Sequence, residues 1–352
     1  MSEPLLVPSR PSRVGVVMLT ALGGAVHVLP VINAIKRYNR AAHVTWVVQP
    51  GPAALVRGHR SVDDLVVFER TRGVRGFLGV RRELRGRPFD LLLLLQPYLK
   101  AGVVAALARA PVKVGFDRAR AQDLTWLATN EHLPARPRAH VQEQLLEFLD
   151  FLGVPREPLE WDLGPWPHER AWQCEFFASI RSPAAALAIA TSNPERDWIP
   201  ERWAAVADAL VERYGLTPIL VGAAGEREQR IAAAIRAHAR HPPVEALGSG
   251  VRRLVSIIDG SALTISLDTA PLHIAAALGR PVISLMANAD PLRTGPYRRF
   301  GDLVVDAFRG PGDPTDTVIW PRRKGRMPRI QVADVLAKVG VWRERYAGKS
   351  RV

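Results

Sequence analysis

In the run Leu263-Thr-Ile-Ser-Leu-Asp-Thr-Ala-Pro-Leu-His-Ile-Ala-Ala-Ala-Leu-Gly279 a continuous apolar strand gives way to a helix just after Asp268. Pro271 falls inside the first helical turn, where its missing N–H costs no intrahelical bond. The free N–H groups and positive dipole end of such a helix make an anion site at the carboxyl edge of a sheet. Thr269 can cap the helix or donate its hydroxyl to a phosphate. Ala270 is small enough to let backbone approach a ligand, and His273 can contact phosphate or pack inward. Ordinary capping by Asp268 and Thr269 accounts for the same residues, and for this run alone it is the better account.

Two further strand-to-helix loops lie in the same half. Thr191-Ser-Asn-Pro-Glu-Arg-Asp-Trp-Ile-Pro200 offers hydroxyls at Thr191 and Ser192 and the Arg196 cation, a set suited to a diphosphate. Val221-Gly-Ala-Ala-Gly-Glu226 is a strand, a small-residue loop and a carboxylate, and Glu226 suits ribose hydroxyls as acids do in dinucleotide sites. All three loops sit on strand carboxyl ends of one half, and that coincidence favours a ligand site over three unrelated caps. Near the start, Met18-Leu-Thr-Ala-Leu-Gly-Gly-Ala-Val-His-Val-Leu-Pro30 reads as a strand turning tightly into a helix at Gly23 and Gly24. It lacks both the G-x-G-x-x-G and the G-K-[ST] spacing, so no nucleotide site is expected there.

The elements that must hold these residues alternate along the chain. Val14–Leu19, His43–Val48, Leu65–Phe68, Leu91–Leu95 and Val112–Gly115 read as strands, unbroken apolar runs of the kind covered on both faces. Ala25–Arg40, Val74–Arg85, Tyr98–Arg109 and Ala139–Leu152 read as helices. Pro155–Pro167 has no periodicity and reads as a linker. After a helix over about Glu169–Arg181, strands are expected at Ala186–Thr191, Pro218–Val221, Val244–Leu247, Ala262–Leu267 and Pro281–Leu285. Helices intervene, one of them placing Trp203, Val206, Ala207 and Leu210 on a single face and ending at Gly215. The pattern predicts an α/β chain of two doubly wound domains, 1–160 and 161–352, with ligands at the strand carboxyl ends facing a central cleft.

Composition is that of a globular protein, 47% hydrophobic and 23% charged over 352 residues. A formal charge of +14, mostly arginine, favours anionic partners; an arginine-rich genome accounts for it equally well. Cys174 is the one cysteine, so no intramolecular disulfide forms and a reducing compartment is expected. Residues 1–10 do not read as a signal peptide, and no apolar stretch is long enough to span a membrane. A cytoplasmic protein is expected, with peripheral contact to an acidic membrane face open to it. The segment Pro321-Arg-Arg-Lys-Gly-Arg326 is a candidate for that contact, against the plainer reading of a solvated loop. No nucleic-acid-reading motif is present.

Taken together, Leu22-Gly23, Val26-His27, Leu29-Pro30, Gly115-Phe-Asp117, Arg196-x-Trp198-x-Pro200, Asp268-Thr-x-Pro-x-His273 with Ala275 to Gly279, and Thr294-Gly-Pro-Tyr297 resemble glycosyltransferase family 9, the ADP-heptose:lipopolysaccharide heptosyltransferases. The resemblance runs from Arg13 to about Val305. It implies a GT-B fold, an ADP-sugar as co-substrate in the C-terminal domain, and inverting transfer without metal or other cofactor. It also implies an anionic glycan or glycolipid acceptor on the N-terminal domain. Thr191 and Ser192 would bind the donor phosphates, with Arg196 where the family usually has lysine. Glu226 would hold the ribose, and Asp268, Thr269, Ala270 and His273 the diphosphate and sugar. Arg118, Arg120 and Arg138 would meet an acceptor phosphate, a set that solvated surface charge explains equally well.

One position departs from the family pattern. The family's first loop reads Leu-Gly-Asp, whose acid deprotonates the acceptor hydroxyl, and here Gly24 takes its place. General-base assistance is worth roughly 100- to 10,000-fold. His27, three residues on, is the substitute the sequence offers, although a structural or acceptor-orienting role is the commoner use of such a histidine. The alternative to an active transferase is a donor-binding relative with a regulatory or scaffold role.

Overall fold

The computed structural model describes residues 11–180 and 182–348. The reading of residues 1–10 and the expected helix end at Arg181 lie outside the described residues. The chain divides into two compact units, 1–162 and 163–352, the division falling inside the Pro155–Pro167 stretch.

Unit 1 runs β1 (Arg13–Val17), α1 (Leu22–Tyr38), β2 (His43–Val48), α2 (Pro50–Val56), β3 (Asp64–Val67), α3 (Val74–Leu84), β4 (Leu91–Leu94), α4 (Leu99–Leu107), β5 (Val112–Gly115), β6 (Glu131–His132) and α5 (Val141–Phe151). Its sheet has the order β3-β2-β1-β4-β5-β6, with every pairing parallel. Val14, Val16, Val17, Leu91, Leu92 and Leu93 are fully buried, as strands covered on both faces must be. Gly23 and Gly24 do not form a turn. They belong to the first turn of α1, and neither has a positive φ.

Unit 2 runs α6 (Arg170–Ala178), β7 (Ala184–Ala188), α7 (Pro200–Tyr214), β8 (Thr217–Val221), α8 (Glu226–His238), β9 (Val244–Glu245), α9 (Val251–Gly260), β10 (Leu263–Leu267), α10 (Ala270–Ala277), β11 (Val282–Met286), α11 (Pro291–Thr294), β12 (Val304–Asp306) and α12 (Val332–Arg345). Its sheet has the order β12-β11-β10-β7-β8-β9, again parallel throughout. The chain reverses direction across β7 and β10, the switch point where open α/β sheets leave a crevice. The face of α7 is as expected: Trp203, Val206, Ala207 and Leu210 are each fully buried. At roughly 1.5–3 kcal/mol for each large side chain, that stripe alone anchors α7. Gly215 ends the helix at φ +63°, a left-handed cap that glycine adopts without strain.

β7 differs from its expected span, Ala186–Thr191. The all-alanine start is a weak β signal that only a central position in the sheet overrides. Thr191 therefore lies in the loop beyond the strand. The class is α/β, two doubly wound Rossmann-like units, and no described helix is long and apolar enough to cross a membrane.

Candidate functional site

In unit 2 the loops after β7, β8, β10 and β11 all leave the carboxyl edge of one sheet. Thr269 is the N-cap residue of α10, with φ −152° and ψ 178°, yet its side chain makes no capping hydrogen bond. Simple capping therefore does not explain Asp268 and Thr269, and the helix start keeps its electropositive end. Asp268 is mostly buried, and burial pushes its carboxyl above the ordinary range, with Arg322 and Arg196 pulling the other way. Arg322 Nη1 stands 3.6 Å from Asp268 Oδ2. Burial, and then the like charge of Arg322, hold the Arg196 guanidinium below its usual value. Among the described residues Arg196 Nε has no hydrogen-bond partner. Two guanidiniums thus share one carboxylate, a local excess of positive charge beside a helix N-terminus. Ala270 and His273 are buried on α10.

Arg322 is held in place by its neighbours. Arg323 N donates to Asn288 O at 2.9 Å, and Asn288 Nδ2 donates back to Arg323 O at 2.7 Å. Arg293 donates to the Trp320 carbonyl at 2.7 Å and lies 3.7 Å above its ring. The segment around 320–323 is clamped to the loop after β11, which is in turn fixed by fully buried Asp290 and its bond to Arg309 at 2.8 Å. Arg323 also pairs with Asp313 at 2.6 Å, and Arg326 donates to the Phe308 carbonyl. The tract is largely exposed, as a solvated loop would be, but each of its four cations is also tied to a partner in unit 2, Lys324 to Glu195 at 3.2 Å. Its sequence gave no sign of this, because the partners lie 10 or more residues away along the chain.

The second loop is shaped by its own polar groups. Thr191 Oγ1 donates to Asn193 O at 2.8 Å and accepts from Asn193 N at 3.1 Å, while Thr191 N donates to Asp197 Oδ1 at 2.8 Å. Its hydroxyl hydrogen is committed to that turn, whereas Ser192 beside it is exposed. Burial pushes the Asp197 carboxyl up, and Arg227, at 2.9 Å, and the Thr191 N–H offset part of this. Arg227 also donates to the Thr191 carbonyl, so it ties the β8 loop to the β7 loop. Glu226 points into solvent, its side chain 93% exposed. Glu228 is the half-buried acid of that helix start; burial acts upward on it, but its own N–H and Arg227 hold it below the usual carboxylate range. Helical phase decides this, and no local pattern distinguishes the two acids.

In unit 1, His27 is buried between α1 and α5. Gln142 Nε2 donates to the His27 carbonyl at 2.9 Å, which fixes the amide so that Gln142 Oε1 faces His27 Nδ1 at 3.0 Å. That places a proton on Nδ1, so in the neutral ring the lone pair is on Nε2. Gly24 is half-buried, and a Cβ there would lie 2.2 Å from Thr20 Oγ1. The acceptor arginines separate. Arg118 is exposed, with its guanidinium 4.5 Å from the Trp126 ring centre, and Arg138 is half-buried. Arg120 is only 4% exposed and is held by Asp117 and by Glu147 at 2.9 Å, both buried. Its expected role at an acceptor phosphate is corrected: two carboxylates already neutralise it.

Sequence reasoning missed a cavity of about 400 Å3 at the carboxyl edge of the unit 1 sheet. Leu19, Gln49, Gln96, Arg70, Lys100 and Asp123 line it. Gln49 and Gln96 clasp the Leu19 backbone at 2.7 Å each, fixing the loop into α1. Among the described residues neither Arg70 nor Lys100 makes an ion pair. Nor do three His, Cys, Asp or Glu side chains cluster as metal ligands.

The family model for glycosyltransferase family 9 (heptosyltransferase) matches residues 77–305. Lipopolysaccharide core heptosyltransferase OpsX of Haemophilus influenzae is 27% identical, covering 95% of this chain and 98% of the relative. Lipopolysaccharide heptosyltransferase 1 of Pseudomonas aeruginosa is 26% identical, with 82% of each chain covered. Among solved structures, the family 9 glycosyl transferase from Veillonella parvula superposes with a TM-score of 0.78 at 20% identity, covering 94% of this chain and 96% of that one. E. coli heptosyltransferase WaaC with ADP gives 0.73 at 19% identity, covering 94% and 99%. The fold is accordingly of the GT-B type, and the chain belongs to glycosyltransferase family 9.

Proposed function

We propose that this glycosyltransferase moves a heptose from ADP-heptose to a phosphorylated sugar of a lipopolysaccharide core, with inversion at the transferred carbon and without a metal or other cofactor. The observation that carries the reading is the pair Arg196 and Arg322 around Asp268 at the uncapped start of α10. A departing nucleoside diphosphate gathers negative charge on its phosphate oxygens. Fixed guanidiniums and helix N–H groups placed where that charge develops stabilise the transition state without reorganising. In this reading Thr269 and Ser192 donate hydroxyls to the donor, Asp268 accepts from the sugar hydroxyls, and Thr191 shapes the loop. Glu228 stands closer to the sheet edge than Glu226 as the acid for the ribose. The names of the relatives, and the ADP held by one similar structure, support the donor.

The acceptor phosphate would enter the unit 1 cavity, met by Arg70 and Lys100 with Arg118 outside it. His27 is the base of this reading: the Gln142 contact holds the Nδ1 proton, so the neutral ring would take a proton at Nε2. The protein would act in the cytoplasm on an anionic glycan or glycolipid, with no nucleic-acid partner. One observation favours the second reading, a donor-binding relative of little activity: Gly24 carries no side chain and Thr20 occupies the space where one would begin.

Purified protein supplied with ADP-heptose and a core acceptor is expected to release ADP. His27→Ala should then lower kcat with little change in donor affinity. Absence of turnover with every nucleotide-sugar, together with a rise in melting temperature on adding ADP, would select the second reading.

A further inference from the structure

Seven of the ten large apolar side chains exposed among the described residues fall between residues 74 and 127. They do not scatter over unit 1. Val74 and Leu78 lie one turn apart on the outer face of α3, 73% and 55% exposed, and Leu99 and Val103 are likewise spaced on α4. Leu127, 65% exposed, belongs to the turn Thr125–Ala128, and Leu124, 64% exposed, is the residue that caps it. The inner faces of α3 and α4 share one apolar cluster containing Val80, Leu84, Ala101 and Val104. A Cβ at Gly102 on α4 would lie 3.0 Å from Thr125, so that turn packs directly against α4. The six outward side chains therefore sit on three elements that pack side by side, α3 on α4 and α4 on the turn.

Its surroundings are cationic. From Glu69 to Gly86 the chain carries arginines at 70, 72, 75, 81, 82 and 85 against two glutamates, 69 and 83. Single exposed leucines are ordinary; a patch of large ones bordered by arginine marks an interaction surface. We infer that the α3–α4 face with the turn at 125–128 docks on an anionic lipid bilayer. Leucine and valine enter the interfacial layer while the arginines meet phosphate headgroups, the chemistry of a peripheral amphipathic face. A protein partner would match the apolar patch equally, but six arginines against two glutamates on the α3 segment leave a net positive border, which suits a uniformly negative plane. Tyr98 and Leu99 belong both to this edge and to the lining of the 400 Å3 cavity, so a docked molecule would hold that cavity at headgroup level.

The test is flotation of the full chain with vesicles of phosphatidylethanolamine and phosphatidylglycerol against vesicles of phosphatidylcholine. Binding is expected to the anionic vesicles only, and to fall with added salt. Arg75→Gln, Arg81→Gln and Arg82→Gln should each weaken it about fivefold, and Leu78→Glu with Leu127→Glu should abolish it. ADP-dependent thermal stabilisation of each variant checks that it remains folded. Equal binding to both vesicle types, or none, overturns the inference. So does a dimer in sedimentation that Leu78→Glu dissolves, since the patch would then belong to a second copy. None of these outcomes depends on transferase turnover.

Discussion

Replacing Arg120 with methionine separates a structural brace from an acceptor contact. The guanidinium is satisfied on every side: Nη1 and Nη2 meet the two Glu147 oxygens at 2.9 Å, Nη2 also donates to Pro134 O at 3.1 Å, and Nε meets Asp117. Arginine and both carboxylates are each less than 9% exposed. Removing the cation leaves two buried carboxylates without compensation, a loss of about 3–5 kcal/mol. For a unit of this size each kcal/mol moves the melting temperature by about 2–4 °C, so Arg120→Met should lower that of unit 1 by roughly 6–20 °C. Calorimetry or circular dichroism would record the shift. Adding Asp117→Asn and Glu147→Gln should recover most of it, because the uncompensated charges go with their partner. A melting temperature within about 2 °C of wild type, together with a raised acceptor KM, would refute the reasoning and return Arg120 to the acceptor.

Three further outcomes are expected. Arg322→Ala should weaken ADP binding about 10- to 150-fold, the worth of one hydrogen bond to a charged group, as measured by titration calorimetry; unchanged affinity would remove Arg322 from the donor site. Asp259 accepts from Arg170 at 2.7 Å and Gln173 at 3.0 Å, and lies 3.1 Å from Arg280; burial raises its carboxyl, but these partners bring it below the ordinary range. A carboxyl depressed in the folded state stabilises fully above its unfolded value, about 3.9, and loses that contribution as pH falls through the folded value. Asp259→Asn should therefore lower the melting temperature by roughly 3–12 °C at pH 7, with the gap narrowing as pH drops below about 4; a constant gap would contradict the assignment. Gly24→Asp forces Thr20 aside and should cost about 1–3 kcal/mol, read by denaturant unfolding, whereas Thr20→Ala with Gly24→Asp should relieve it. A large gain in kcat from that pair would show that the missing acid limits the enzyme.

Much of the architecture was legible because its causes are local. Unbroken apolar strands, the i, i+3, i+4, i+7 face of α7 and the glycine stop at 215 depend on neighbours within a few residues. So do the strand end at Asp268 and the helix start behind it. The same reading placed Ala186–Thr191 as a strand, because an alanine run at Ala184–Ala188 has no strand signal of its own and becomes β7 only between β10 and β8.

What tertiary structure decided is where charges meet. Arg322 looked like part of a solvated basic tract until the Asn288–Arg323 hydrogen bonds carried it to Asp268. Arg120 looked like a free cation until Asp117 and Glu147 closed around it. Arg227 joins two loops that share no pattern in sequence, and it is Glu228 rather than Glu226 that pairs with it. Pairing energies fall steeply with distance and with exposure to water, and neither quantity is encoded in spacing along the chain. The residue types at Asp268, Thr269 and Arg196 suggested an anion site only because three such loops share one sheet edge; which cations stand beside Asp268, and which have already been neutralised, followed only from the fold.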